Sequence, residues 1–244
     1  MKPNQLYLLF TFLILLCFVV SGKSQWWFDA GVKGSYGPTM MYDQSVFDNS
    51  SYKHKLSTGY NYGFRMGFNH GHHIGLNLEY NLGHSKQDFN YHSEVFNKFD
   101  IQHNDFVGTF RYSGNGAFIE VGAEYASIKD VTLESLSTEA INPPAVDNFE
   151  KNYLGGVLGF GSYLAGNDLL SINLGIRLHW GFDEIVNPTG KENNYPIFGV
   201  SDVAIDPSNK TFQTAAQLQL EVNYAFGRFA KSSCSERWHL ILFN

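Results

Sequence analysis

The chain is short of what disulfide-held secreted domains and nucleic-acid-binding proteins rely on. Its 244 residues hold two cysteines, Cys17 and Cys234. Only the second lies beyond the leader described below, so no intrachain disulfide can brace the fold. Charged residues make up 16% of the chain, there is no basic cluster, and the formal charge is −6. That balance argues against nucleic acid as a partner. After residue 20 no apolar run is long enough to cross a membrane as a helix.

What is present begins with an apolar stretch, Leu6–Val20, behind Lys2. Gly22 and Ser24 fall at positions −3 and −1 of a cut before Gln25, so residues 1–24 read as an export signal. The stretch is shorter than the roughly twenty residues of an uncleaved membrane helix. Lys2 and Lys23 leave with the signal, so 15 basic residues then stand against 23 acidic ones, a charge of −8. The remaining length suits one domain.

Eight segments then alternate apolar and polar side chains, the pattern of strands with one greasy and one polar face. In Gly59–Asn69 the residues Tyr60, Tyr62, Phe64, Met66 and Phe68 share one face, and Arg65 falls among small and polar residues on the other. The further segments are Trp27–Tyr36, His73–Gly83, Ile101–Tyr112, Ala117–Ser127, Asn152–Tyr163, Leu170–Phe182 and Thr211–Phe226. In the fourth, Phe106, Phe110 and Tyr112 keep the pattern, while Ile101 and His103 fall out of phase. A bulge, or a rise above the lipid, would account for that. Three connections, Asn69–His73, Ser113–Gly116 and Ala165–Asp168, are tight. Four others, near 41–58, 84–100, 128–151 and 183–210, read as long polar loops. Short turns on one side and long loops on the other are how a transmembrane β-barrel is built.

Aromatic residues support a bilayer setting. Trp27, Phe28, Phe68, Phe110, Tyr112, Phe160, Tyr224 and Phe226 fall toward the short-turn end. Tyr36, Tyr60, Tyr62, Tyr80, Tyr125, Trp180 and Phe212 fall toward the loop end. Two aromatic belts around an aliphatic band match the two interfaces of a membrane. A soluble, lipocalin-like barrel is the rival, with its apolar face turned inward. The many glycines on the polar face fit the crowded lumen of a narrow barrel better than a water-exposed exterior.

With these features the chain resembles the small eight-stranded outer-membrane barrels of the OmpA/OmpX type and the barrel-domain proteins common in Bacteroidetes. The resemblance covers Gln25–Phe229, and its most specific part is the closing stretch Leu220–Phe226, with its aromatic end. It implies an all-β, eight-stranded antiparallel up-and-down barrel in the outer membrane over residues 25–229, inserted by the barrel-insertion machinery and monomeric among the lipids. Residues 230–244 are then an additional tail. No residue motif ties the chain to one characterised member.

The inward positions place Glu79, Glu120, Glu124 and Glu221 with Lys33, Arg65, Arg111 and Arg177. Four acids against four bases predict a salt-bridged lumen, since an unpaired buried charge is costly. A gate whose pairs exchange partners is the alternative reading. His179 points inward toward these glutamates, and His70, His72 and His73 cluster in a turn that reads as solvated rather than metal-binding. Neither His84-Ser85 nor His92-Ser93 forms a catalytic dyad, because adjacent strand residues face opposite ways. The expectation is therefore no catalytic residue, no metal and no cofactor. Two function classes remain. One is a structural or surface-interaction barrel that meets an extracellular ligand through loops such as Met41–Lys55 and Val131–Glu150. The other is a narrow channel for ions or small solutes. A lipid-modifying enzyme is the least favoured reading.

Overall fold

The computed structural model describes residues 26–49, 51–71, 73–92, 94–135, 145–167, 169–200, 206, 208–226 and 239–240. The segment 1–24, expected from the sequence to be an export signal, and most of the expected tail at 230–244 lie outside the described residues. The strands are β1 (Trp26–Asp43), β2 (Tyr52–Lys55), β3 (Ser57–His70), β4 (Ile74–Tyr91), β5 (Glu94–Gly114), β6 (Ala117–Ser135), β7 (Asn152–Gly166), β8 (Leu170–Gly181), β9 (Thr211–Phe226) and β10 (His239–Leu240). Two short helices, α1 (Gln44–Phe47) and α2 (Pro188–Glu192), lie in the long connections.

Eight strands form the wall in the order β1-β3-β4-β5-β6-β7-β8-β9, each antiparallel to its neighbours, and β9 returns to β1. The ring is closed, so the wall has no free edge. It is the eight-stranded up-and-down barrel that the alternation predicts. At the β1–β9 seam the rungs run to Tyr36↔Leu218 and resume at Thr39↔Ala215. Gly37 and Pro38 form none, and proline has no N–H to give. β10 pairs with Ala165–Gly166 of β7. The turn between β5 and β6 is Asn115–Gly116, with φ of 50° and 76°. A two-residue turn with both φ positive matches the twist of the flanking strands, which is why Asn-Gly stands there.

The lower barrel is apolar outside and polar inside. Val32, Phe64, Met66, Leu76, Leu78, Ile119, Val121, Leu158, Ile176, Leu218 and Leu220 stand exposed on the exterior. Lys33, Arg65, Asn77, Glu79, Arg111, Glu120, Arg177, Gln219 and Glu221 are buried within. Water would not tolerate that exterior, whereas hydrocarbon requires it, so this part of the wall spans a membrane. Toward the short turns Phe28, Phe110, Tyr112, Phe160, Tyr224 and Phe226 are exposed on the outside, and Phe68 packs edge-on against Phe28 at 5.3 Å. Toward the other end Tyr36, Tyr60, Tyr62, Tyr80, Tyr125 and Trp180 are likewise exposed. Trp27 departs from the expected belt. It shares the inward parity of Asp29, is half-buried, and lines the lumen; its neighbour Trp26 is the exposed one.

Above the outer belt the polarity inverts. The connections near 41–58 and 84–100 are not loops over most of their length. β4 and β5, of 18 and 21 residues, continue as a hairpin to Tyr91↔Glu94, while β1 and β6 run to Asp43 and Ser135. Phe89, Phe99, Ile101, Ile128, Val131 and Leu133 point inward here and are buried. They join Met41, Val46, Tyr52, Phe149, Ile185, Tyr195 and Ile197 in one hydrophobic cluster, a folded cap over the barrel. Ile101 and His103 are therefore in geometric phase with Arg111; only the chemistry of the two faces has exchanged. The bulge lies on β6 instead, where Gln102↔Asp130 is followed by His103↔Ile128 and Lys129 is left unpaired. It turns Val131 and Leu133 inward in place of the even-numbered residues below.

The cap has its own polar fastenings. Asp43 caps α1 through Ser45 N at 2.8 Å and accepts from Thr211 Oγ1 at 2.6 Å. The hydroxyl of Tyr52 donates to Pro196 O at 3.0 Å and accepts from Asn97 Nδ2 at 2.9 Å. Burial raises the pKa of the Tyr52 phenol, so it remains a donor. Asn187 caps α2 through Gly190 N at 2.8 Å, with Pro188 at the first helical position.

Candidate functional site

Six charged side chains from six strands meet across the lumen. Lys33 (β1) pairs with Glu79 Oε2 (β4), and Arg177 (β8) forks onto both oxygens of Glu79, with contacts of 2.7 Å to Oε2 and 2.9 Å to Oε1. Arg177 also donates through Nε to Glu120 (β6) at 2.8 Å. Glu120 accepts from Arg111 (β5) at 2.8 and 3.1 Å, and Arg111 forks onto Glu221 (β9) at 2.9 and 2.8 Å. The result is a continuous chain of three cations and three anions, Lys33–Glu79–Arg177–Glu120–Arg111–Glu221. None of these side chains is more than 7% exposed. Arginine supplies the bridges because its planar fork can serve two carboxylates at once. Gly159 makes room: a Cβ there would stand 2.5 Å from Glu120 Oε1.

Two members of the expected set are placed elsewhere. Arg65 bonds to Asp29 Oδ1 at 2.7 Å, nearer the short turns, and Asn69 Nδ2 holds the other Asp29 oxygen at 2.8 Å. Asp29 has inward parity, so alternation alone could have added it to the network. Glu124 stands above the chain of six, paired with His179 Nδ1. The His103–Asp105 pair lines the same small void. His103 and Asp105 share the inward parity of Arg111, and they become visible in the sequence once the phase is carried through the whole of β5.

Ser85 Oγ lies 3.1 Å from His103 Nε2, and His103 Nδ1 lies 2.6 Å from Asp105 Oδ1. These contacts have the connectivity of a nucleophile, a base and an orienting carboxylate. The void beside them is about 20 Å³. That volume admits about one water molecule. Toward the short turns the lumen widens into a cavity of about 310 Å³, bordered by Trp27, Asp29, Arg65, Arg111, Phe118 and Asn223. Read from the short turns outward, the lumen is a cavity, a plug of ion pairs, a histidine–carboxylate layer and an apolar cap.

In the turn between β3 and β4, the ring of His70 packs on Trp26 at 4.6 Å, and His73 Nδ1 lies 2.8 Å from Ser113 O. His72 lies outside the described residues. Among the described residues no group of three or more His, Cys, Asp or Glu is gathered to hold a metal ion.

No protein-family model matches the sequence, and no curated relative does. Among solved structures, Neisserial surface protein A overlays with a TM-score of 0.45 at 8% identity, covering 82% of this chain and 97% of that one. The outer membrane protein OprG from Pseudomonas aeruginosa gives 0.40 at 13% identity, covering 82% and 95%. Ail, the attachment invasion locus protein of Yersinia pestis, gives 0.38 at 11% identity, covering 81% and 98%. The assignment of the fold rests on the chain's own closed hydrogen bonding and lipid-facing exterior, and a closed barrel of that kind resides in an outer membrane.

Proposed function

We propose that this outer-membrane barrel is a closed pedestal, with a structural or surface-interaction role carried by its folded extracellular cap. The observation that carries the reading is the double seal of the lumen. The chain of six charges crosses it, and a hydrophobic core lies over its outer end. Eight strands leave a lumen that side chains can fill. A rigid base of this kind suits the presentation of a fixed surface, on which Phe47 and Leu56 are 66% and 80% exposed. An extracellular ligand would meet that surface, while lipid surrounds a monomeric wall delivered by the barrel-insertion machinery. The reading includes no catalysis: Ser85, His103 and Asp105 brace one another beside a void that takes a water and no ester. Single-channel recording in planar bilayers tests the seal. The expected conductance is near zero. A large, steady conductance would overturn the pedestal reading in favour of a narrow solute channel, with Arg65, Arg111 and Arg177 as its selectivity residues.

A further inference from the structure

The lipid-facing wall is not uniform. Toward the cap, a groove of about 730 Å³ crosses its exterior over β6, β7, β8, β9 and β1. Two rungs of outward residues build it. Val121, Leu158, Leu178 and Ala216 stand side by side in register, and Gly156, Trp180, Thr214 and Met40 form the next rung toward the cap. The floor is low where these side chains are small. Gly156 has none, and a Cβ there would stand 2.6 Å from the Phe182 ring. Pro38 and Ala216 lie at the seam where the β1–β9 rungs are interrupted. Thr214 is 8% exposed and turns its hydroxyl into the wall, donating to Met40 O at 3.1 Å. The flanks are large and exposed: Trp180 and Phe182 on β8 and just beyond it, and Leu56 at the step from β2 into β3.

The setting identifies the occupant. The groove is continuous with the lipid-facing wall, because Ile176 and Leu218 on the rung below are exposed to the same hydrocarbon. Within a membrane, apolar surface has no hydrophobic reason to seek cover, and a molecule is held only where it packs better than in bulk lipid. A concavity left empty forfeits the dispersion contacts of its lining. Water gains nothing there, since it needs several polar partners. A second copy of the barrel presents a convex wall, which cannot reach a floor made by Gly156 and Ala216. A thin, flexible hydrocarbon chain can reach it, and Trp180 and Phe182 then flank the chain. We infer that this groove is a site for one acyl chain of a membrane lipid in the cap-side leaflet, held while the surrounding lipids exchange.

The test uses the full chain folded into vesicles of palmitoyl-oleoyl phosphatidylethanolamine and phosphatidylglycerol, then moved into detergent and weighed by native mass spectrometry. The wild-type barrel should carry one lipid of either headgroup after the bulk lipid has been stripped. Ala216→Trp fills the floor and should lower the retained fraction about tenfold. Val32→Trp places the same bulky ring on the lipid face away from the groove, where Val32 is exposed, and should leave retention as in wild type. Each variant is first checked for a boiling-dependent shift in gel migration, the sign of a closed barrel. If Ala216→Trp fails that check, Pro38→Trp carries the test. A wild-type barrel that comes out bare would overturn the proposal. Equal retention in wild type and in the closed, filled variant would place the lipid elsewhere on the wall and overturn it too. A doubled protein mass without lipid would make the groove an interface between copies, and the acyl-chain site would again fall.

Discussion

Removing the central carboxylate of the plug should cost a large share of the barrel's stability. Glu120 is 1% exposed and accepts from Arg177 through Nε at 2.8 Å and through Nη2, and from Arg111 at 2.8 and 3.1 Å. In Glu120→Ala each arginine keeps one other carboxylate, Glu79 or Glu221. Neither is stranded, but the chain of six passes from three-against-three to one excess positive charge. Breaking a buried pair by deleting one partner costs about 3–5 kcal/mol. The surviving partners place this case at the low end, about 3 kcal/mol. Glu120→Gln keeps the shape and one acceptor oxygen, and its cost should be smaller with the same sign. The assay is equilibrium urea unfolding in lipid vesicles, followed by tryptophan fluorescence. With a slope of about 2–3 kcal/mol per molar urea, the midpoint of Glu120→Ala should fall by about 1–1.5 M. Val121→Leu, on the lipid face of the same strand, should leave the midpoint in place. A midpoint for Glu120→Ala equal to wild type would mean that water already screens these charges. The plug would then not hold the barrel shut.

Leu78 stands half exposed in the middle of the lipid band, so Leu78→Arg should cost about 2–4 kcal/mol in vesicles. Vesicle unfolding that matches wild type would refute the assigned face. Phe99 is 1% exposed and meets Phe89, Phe149 and Tyr195 with ring centres 5.8 to 6.0 Å apart. Phe99→Ala should remove about 3–5 kcal/mol from the cap. Protease should then cut the hairpins of the cap while the boiling-dependent gel shift persists; loss of that shift would show that cap and wall form one cooperative unit. Burial pushes the His54 imidazole below its ordinary pKa, so its neutral form belongs to the folded cap. That contribution is present above the unfolded value of about 6.5 and is lost as pH falls through the folded one. Amide exchange across β2 should therefore quicken on acidification in wild type and lose that dependence in His54→Phe.

The wall was readable in the sequence because lipid enforces a strict contrast between faces. From Tyr60 to Asn69 every second residue is large and apolar, and the register follows. The cap was hidden for the same reason. Above the outer belt water replaces hydrocarbon outside, and the inward positions pass from Arg111 and Thr109 to Ile101 and Phe99 with no break in spacing. An unbroken period whose chemistry inverts reads as a loss of pattern. In β6 the bulge at Lys129 shifts the phase as well, so Val131 and Leu133 looked like loop residues. The charge-bearing residues of the lumen could be identified by parity, but their partners could not. Which base meets which acid depends on height along the barrel axis, and that height follows from register and shear across all eight strands. Arg65 with Asp29, and Glu124 with His179, are products of that height.

The β1–β9 seam sets the order of assembly. Seven of the eight wall pairings join strands that follow one another along the chain, and each can form as a hairpin. The seam alone brings together strands from opposite ends of the barrel sequence, and Lys33 lies directly across it from Glu221. While the sheet is open, these two residues belong to separate edges, and the pairs that cross the lumen, Glu79–Arg177 and Arg111–Glu221, cannot close. An open sheet must therefore keep its inner face wet, and the last rungs and the last ion pairs form together as that water leaves. Closure of the ring is therefore expected to couple the last rungs to the last cross-lumen ion pairs. Substitution at Lys33 or Glu221 bears on the speed of that step, whereas an exchange within one hairpin does not.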